Sequence, residues 1–365
     1  MMDIVYLSGS YFNYVNRYRK QELPKQDTVI IPAGAKILAI NDIPISDYIN
    51  ESRKIDNAIR WCPLNNSYYA THWHHPFYVT GEFKPIDVTF AFNGEKNTVT
   101  LGSGDYIISN IVEDNKEFSV QYFEDNKILY IRIPSMDYEK IDTLKNEILK
   151  HKLQIINKVV IDIRNNDGGT DYVWMNVLSS IIDKPIISNS KNYYKNTAIV
   201  RNYVTNIRNE KIRKVLKIND IEYFTTEKSE NNVIKPCKKS LNYSNNIYVL
   251  VNDKIFSSSL AFVSVCKQSE RLVTVGTPTG FMCGRSATPF FLSLPNSKLI
   301  FELVPCIDMS GNKTKPEDYY DFQAEIPVNL NIDDYTFELE YKGKRYGKEF
   351  LYNHDPVFKK ILEIE

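Results

Sequence analysis

The run Val159-Val160-Ile161-Asp162-Ile163-Arg164-Asn165-Asn166-Asp167-Gly168-Gly169 constrains the fold more than any other part of this chain. Its β-branched opening does not alternate with polar residues, so it reads as a strand buried on both faces. An Asn pair and two glycines then arrive at the strand's end. A glycine pair there leaves backbone N–H groups able to point at a negative oxygen, as in an oxyanion hole or an anion nest. The same pair also serves as a plain tight turn, and the sequence leaves both readings open.

Similar strands recur around it. Ile128 to Ile133 reads as a strand, and Ile141, Leu144, Ile148 and Leu149 recur at helical spacing behind Pro134 and Ser135. After the strand at Val159 to Ile163 comes a helix from about Tyr172 to Ile182. Ile247 to Val251 is another buried strand, followed by Ser257-Ser258-Ser259 opening an apolar helix through Cys266, and then by Leu272 to Gly276. Strand, helix, strand, helix predicts a mixed α/β fold with a largely parallel sheet. Hairpin strands around Phe290 to Leu303 and a helix from Asp355 to Glu363 close the chain. The stretch 188–246, rich in Asn, Lys and Tyr with little periodicity, is expected to be an insertion, partly strand-like and placed as a lid.

Upstream, Pro32 to Ile45 reads as a turn, an apolar strand, a tight Asn41-Asp42 turn and a short strand, with a helix expected from Ser46 to Ile59. Val88, Phe90 and Phe92 alternate with polar residues before a turn at Asn93-Gly94. This stretch resembles the PDZ-like modules found inside some proteases, with Ala35 and Asp42 departing from the usual Asp and Gly. The organisation expected is a remnant at 1–24, a small β-rich PDZ-like module at 25–115 and an α/β core at 120–365.

Lys+Arg and Asp+Glu balance at 45 each in 365 residues, so no global basic field points to nucleic acid or an anionic membrane. Peptides or small molecules are the expected partners. Met1 to Phe12 has neither a basic start nor a continuous apolar segment, and no apolar run reaches membrane-spanning length, so neither a signal peptide nor a transmembrane helix is expected. The five cysteines, Cys62, Cys237, Cys266, Cys283 and Cys306, form no close pair and read as reduced and structural, with Cys283 singled out by its Gly-rich loop. No cofactor and no metal is expected. The cluster Thr71-His72-Trp73-His74-His75 reads as surface or aromatic packing, with opportunistic metal binding as the other reading.

A serine on the first turn of a helix that follows a buried strand has its hydroxyl near unpaired backbone N–H groups and the positive end of the helix dipole, both of which favour an oxyanion. Ser257 to Ser259 also suit simple helix capping. The order Asp-Ile-Arg-Asn-Asn-x-Gly-Gly at 162–169, Phe-Ser-Ser-Ser at 256–259 and Val-Gly-x-Pro-Thr-Gly at 275–280 resembles the C-terminal processing, or tail-specific, serine peptidases. With the PDZ-like module and the Leu294-Pro295-Asn296-Ser297 turn, the resemblance runs from about residue 25 onward, and its pattern is that of Bacteroidetes-type members.

The resemblance implies a crotonase-like or ClpP-like α/β peptidase core that cleaves polypeptides through a serine acyl-enzyme. It implies Ser257 as nucleophile with Ser258 as fallback, and the backbone N–H groups of Gly168 and Ser258 as oxyanion donors with Gly169 next in line. Arg164, Asn165 and Asn166 would shape the turn. A carboxylate is implied near Glu317 and Asp318, before the Tyr-Asp-Phe-Gln-Ala-Glu-Ile-Pro-Val segment, and Asp318 is the residue assigned.

The departures concern the base. One branch of the family has a lysine in the loop after Val-Gly-x-Pro-Thr, where this chain offers Phe281, Met282, Cys283 and Arg285, and Arg285 stays protonated. The other branch has a histidine upstream of the module, where the chain starts too late to hold it, while its histidines are His72, His74, His75, His151 and His354. Leu260 and Thr277 stand where relatives commonly have Glu. Two functions follow: a serine endopeptidase with its general base unassigned and the polypeptide's tail held by the PDZ-like module, or an inactive peptide-binding scaffold that keeps the fold.

Overall fold

The computed structural model describes residues 5–6, 12–13, 31, 35–52, 59–62, 67–70, 85–101, 105–106, 117–189, 191–227, 231–279, 290–296, 298, 300–303, 305–310, 323–330, 334, 337, 341 and 343–364. It divides into two units, residues 1–115 with 329–356 and residues 116–328 with 357–365.

In the first unit, β1 (Lys36–Ile40) runs into a tight turn in which Asn41 and Asp42 both have positive φ, as a type I′ hairpin requires. The helix α1 (Ile45–Ser52) follows. The helix expected to reach Ile59 does not: β2 (Ile59–Cys62) pairs antiparallel with β3 (Ser67–Ala70). Ile59 and Trp61 are β-branched and aromatic, residue types that favour strands once a partner is present. β4 (Ile86–Phe92) and β5 (Glu95–Leu101) form a second hairpin about Asn93-Gly94, and β4 pairs with β1. Alternation in β4 puts Ile86, Val88 and Phe90 on one buried face, and a register shift in β1 between Ile37 and Ala39 brings Ile37 and Ile40 both onto it.

The second unit is a six-stranded sheet in the order β6 (Ser119–Phe123), β7 (Ile128–Arg132), β8 (Lys158–Asp162), β9 (Ile247–Val251), β10 (Leu272–Gly276) and β11 (Ile326–Pro327). Only the β6–β7 pair is antiparallel. This is the mixed α/β fold that the strand-helix alternation predicts. β7 and β9 are buried at every position and β8 at all but Lys158, which is why these strands carry apolar runs rather than alternation.

The helices α2 (Ile141–Leu149), α3 (Tyr172–Ile181) and α4 (Ser258–Cys266) supply the crossovers. Leu144, Ile148, Trp174, Leu178, Phe262 and Val263 join the strands in one continuous core. Each such side chain contributes about 1.5–3 kcal/mol on burial. The helix α5 (Pro356–Glu363) brings Phe358 edge-on against Tyr130 and Phe123.

The weakly periodic stretch 188–246 combines short strands with a helix at Ala198–Asn202. Ile186–Asn189 pairs with Asn231–Ile234, and a hairpin joins Ile212–Ile218 to Ile221–Thr226. Residues of the hairpin's first strand are exposed or half-buried throughout, so its sequence had no buried face to mark it. Phe290–Ser293 and Ile300–Leu303 pair as a hairpin, as their sequence leads one to expect. Among the described residues no helix is long and apolar enough to cross a membrane.

Candidate active site

The parallel strands β8 and β9 end together, and their loops are tied side by side. Asn165 adopts a positive φ beyond β8. Its N–H donates to Asn252 Oδ1 at 3.0 Å, and Asn252 Nδ2 donates back to Asn165 Oδ1 at 2.6 Å, joining segments 87 positions apart. Asn166 is fully buried and works in three directions. Its Nδ2 donates to Ile133 O, its carbonyl accepts from Phe256 N–H at 3.0 Å, and its Oδ1 accepts from Gly168 N–H at 2.8 Å. Arg164, Asn165 and Asn166 thus build the turn.

The glycines fit a close approach that a side chain would prevent. A Cβ on Gly168 would lie 2.6 Å from Ser257 Cβ, 2.7 Å from Phe256 O and 3.0 Å from Ser258 N, at a φ of +100°. A Cβ on Gly169 would lie 2.2 Å from Met136 O. The backbone of this turn is stitched to the loop after β7 as Met136 N–H donates to Gly168 O and Thr170 N–H donates to Met136 O. The turn therefore lies directly against the serine run.

Ser257 sits at the N-cap of α4 with φ 54° and ψ −117°, a conformation that costs about 1–3 kcal/mol for a residue with a side chain. Its hydroxyl does not cap the helix, and no described residue takes or gives it a hydrogen bond. Capping is also not what the next serine does: Ser258 Oγ donates to Asp171 Oδ1 at 2.6 Å and accepts from Trp174 Nε1 at 3.2 Å. Ser259 Oγ is buried and has no partner among the described residues. Of the three serines, Ser257 alone is half-buried rather than buried, and its hydroxyl is uncommitted among the described residues. Phe256 beside it is 51% exposed.

The amides differ from expectation in one respect. Gly168 N–H is turned into Asn166 Oδ1, whereas no described acceptor takes the N–H of Gly169 or of Ser258. Ser258 N–H also lies at the positive end of α4.

Beneath the turn lies a buried charge network. Asp162, with no exposed surface, receives Arg164 N–H at 3.0 Å, Arg164 Nη2 at 2.6 Å and the Tyr130 hydroxyl at 2.7 Å. Arg132 Nη1 donates to Arg164 O at 2.6 Å. Burial pushes the Asp162 carboxyl up, but Arg164 and Arg132 outweigh it and hold the group below its ordinary range. Burial and the facing Asp162 charge push the Tyr130 phenol well above its own.

Of the other residues singled out by sequence, His354 packs among Phe337, Tyr341 and Phe350, and His151 lies beyond the C-terminal end of α2 against Tyr122, where burial lowers its pKa. Cys237, Cys266 and Cys306 form no disulfide among the described residues. His72, His74, His75, Gly280, Cys283, Arg285, Glu317 and Asp318 lie outside the described residues. Among the described residues no group of three metal-ligating side chains comes together. A cavity of about 540 Å³ opens at the far, C-terminal end of α4, lined by Cys266, Gln268 and Glu325, away from the glycine turn.

Sequence reasoning missed Asn252, Asp171, Trp174, Tyr130 and Arg132. Asp171 alone carried a local signal, since an Asp immediately before a helix reads as its cap, yet its side chain makes no cap bond to α3.

Residues 127–305 match Peptidase family S41. No curated protein matches the chain. Among solved structures, a CPAF mutant is similar at a TM-score of 0.55 and 12% identity, over 100% of this chain and 84% of that one. Mature CPAF is similar at 0.53 and 14%, over 92% and 80%. A photosystem II D1 C-terminal processing protease follows at 0.36 and 12%, over 90% and 73%. The likeness to CPAF speaks to the fold.

Proposed function

Because the α/β core of this chain, residues 127–305, belongs to the serine peptidases of family S41, we propose that the protein hydrolyses polypeptides through an acyl-enzyme on Ser257. Ser257 Oγ attacks the scissile carbonyl carbon and gives up its proton to a base. The C–N bond breaks as that proton passes to the leaving amine, and water then releases the acyl group from the serine ester. The observation that carries this reading is the contact of Gly168 with Ser257, which sets a hydroxyl on a strained backbone beside amides that no described residue accepts from.

The oxyanion is held in this reading by the N–H groups of Ser258 and Gly169. Gly168 N–H joins them when it leaves Asn166 Oδ1. Ser258 is not the nucleophile here, because its hydroxyl is shared between Asp171 and Trp174. Asp318 remains the carboxylate proposed to orient the base. The β-rich unit carrying residues 25–115 is proposed to act as a PDZ-like module that takes the substrate's tail by strand addition.

A fluorophosphonate probe tests the chemistry. Labelling that maps to Ser257 by mass spectrometry and disappears in Ser257→Ala supports it, whereas an unlabelled chain that also leaves an unstructured polypeptide intact leaves only a peptide-binding scaffold.

A further inference from the structure

We infer that Asp171 is a positioning residue for this site, acting through Ser258 to hold the oxyanion-binding amide. The inference rests on the assignment of Ser257 as nucleophile. Asp171, Ser258 and Trp174 close a triangle of hydrogen bonds. Ser258 Oγ donates to Asp171 Oδ1 at 2.6 Å, and Trp174 Nε1 faces both Asp171 Oδ1 and Ser258 Oγ at 3.2 Å. Trp174 is wholly buried and stacks on Phe262 with ring centroids 5.3 Å apart and planes 5° from parallel.

Three features make this more than local packing. First, Asp171 stands where an Asp ordinarily caps its own helix, and its side chain leaves α3 uncapped to reach across to α4. Second, the residue it grips is the one whose N–H follows the strained Ser257, so fixing the Ser258 side chain fixes the peptide plane between the two. Third, the Gly168-Gly169 turn lies between β8 and α3, and anchoring the start of α3 to the start of α4 pins both ends of the pocket. A hydrogen-bond donor stabilises an oxyanion only when it is already aimed, and a misplacement of about 1 Å costs roughly 100-fold in rate.

The triangle needs an oxygen acceptor at position 171, not a negative charge. A negative charge beside an oxyanion site repels the charge that develops there, whereas an amide oxygen accepts the same two hydrogen bonds without it. That separates positioning from proton transfer.

The test measures the second-order rate of fluorophosphonate labelling of Ser257 in the full chain across pH, with near-ultraviolet circular dichroism reporting the packing of the aromatic side chains. Asp171→Ala and Ser258→Ala are expected to slow labelling roughly 10- to 100-fold. The double variant should be no slower than either single one. Asp171→Asn should label within about threefold of the unsubstituted chain and with the same pH profile. Equal labelling by Asp171→Ala and the unsubstituted chain overturns the inference and leaves the peptidase reading standing. So does loss of labelling in a folded Asp171→Asn with an altered pH profile, because Asp171 would then carry the proton. No labelling of the unsubstituted chain overturns both.

Discussion

At the scale of single residues, the site trades stability for geometry. Ser257 occupies a backbone conformation that L-residues rarely adopt. Ser257→Gly is therefore expected to abolish probe labelling while raising the unfolding free energy by about 1 kcal/mol, measurable in urea as a higher midpoint with an unchanged slope. An unchanged or lower midpoint would show that the conformation is not strained. Gly168 is the opposite case. Gly168→Ala inserts a methyl group 2.6 Å from Ser257 Cβ at a positive φ, so it is expected to cost about 1–3 kcal/mol and to stop labelling by pushing the serine off the turn.

At the scale of elements, the ends of β7 and β8 are held by buried charge as well as by apolar packing. Asp162 binds Arg164 and Tyr130 where its carboxylate has no access to water. Removing the charge leaves two arginines facing a neutral group, so Asp162→Asn is expected to cost about 3–5 kcal/mol, read as a loss of urea midpoint. The loop between β9 and α4 is held differently, by the reciprocal amide pair of Asn165 and Asn252. Strand identity and the serine run were legible along the chain because burial on both faces leaves an unbroken apolar run. The Asn252 and Asp171 contacts were not, because a polar residue 87 positions away leaves no periodic trace of its partner. The helix expected to reach Ile59 gave way to a strand for a similar reason: a short segment of mixed character takes the structure its pairing partner supplies.

At the scale of the whole molecule, pH and exchange report the same architecture. Asp162 and Glu325 both have folded pKa values below their ordinary ones. For Asp162 burial acts against the lowering by Arg164 and Arg132, and for Glu325 burial acts against Lys267 and Thr274. A depressed folded pKa means the unfolded chain binds the proton first as pH falls. Their stabilisation is complete above the ordinary carboxylate range and is lost as pH drops through the folded values. Thermal melting is accordingly expected to hold level through neutral pH and to fall steeply below about pH 4, with a shallower acid limb in Asp162→Asn. Amide exchange should be slowest in β7, β8 and β9, which are almost wholly buried, and faster by orders of magnitude in the exposed 212–226 hairpin. Equal protection of the two regions would contradict the described core.

What the amino-acid order determined unaided was the alternation of buried strands and helices, since apolar runs and helical spacing are local consequences of which faces are covered. It also placed a glycine pair and a serine run just beyond two of those strands. Only the tertiary structure decided that the two meet, that the Ser257 hydroxyl has no partner among the described residues while that of Ser258 goes to Asp171, and that Gly168 N–H turns inward to Asn166. Those outcomes depend on where parallel strands end relative to one another and on which polar atoms then fall within 3 Å, and neither distance is carried by any local stretch of sequence.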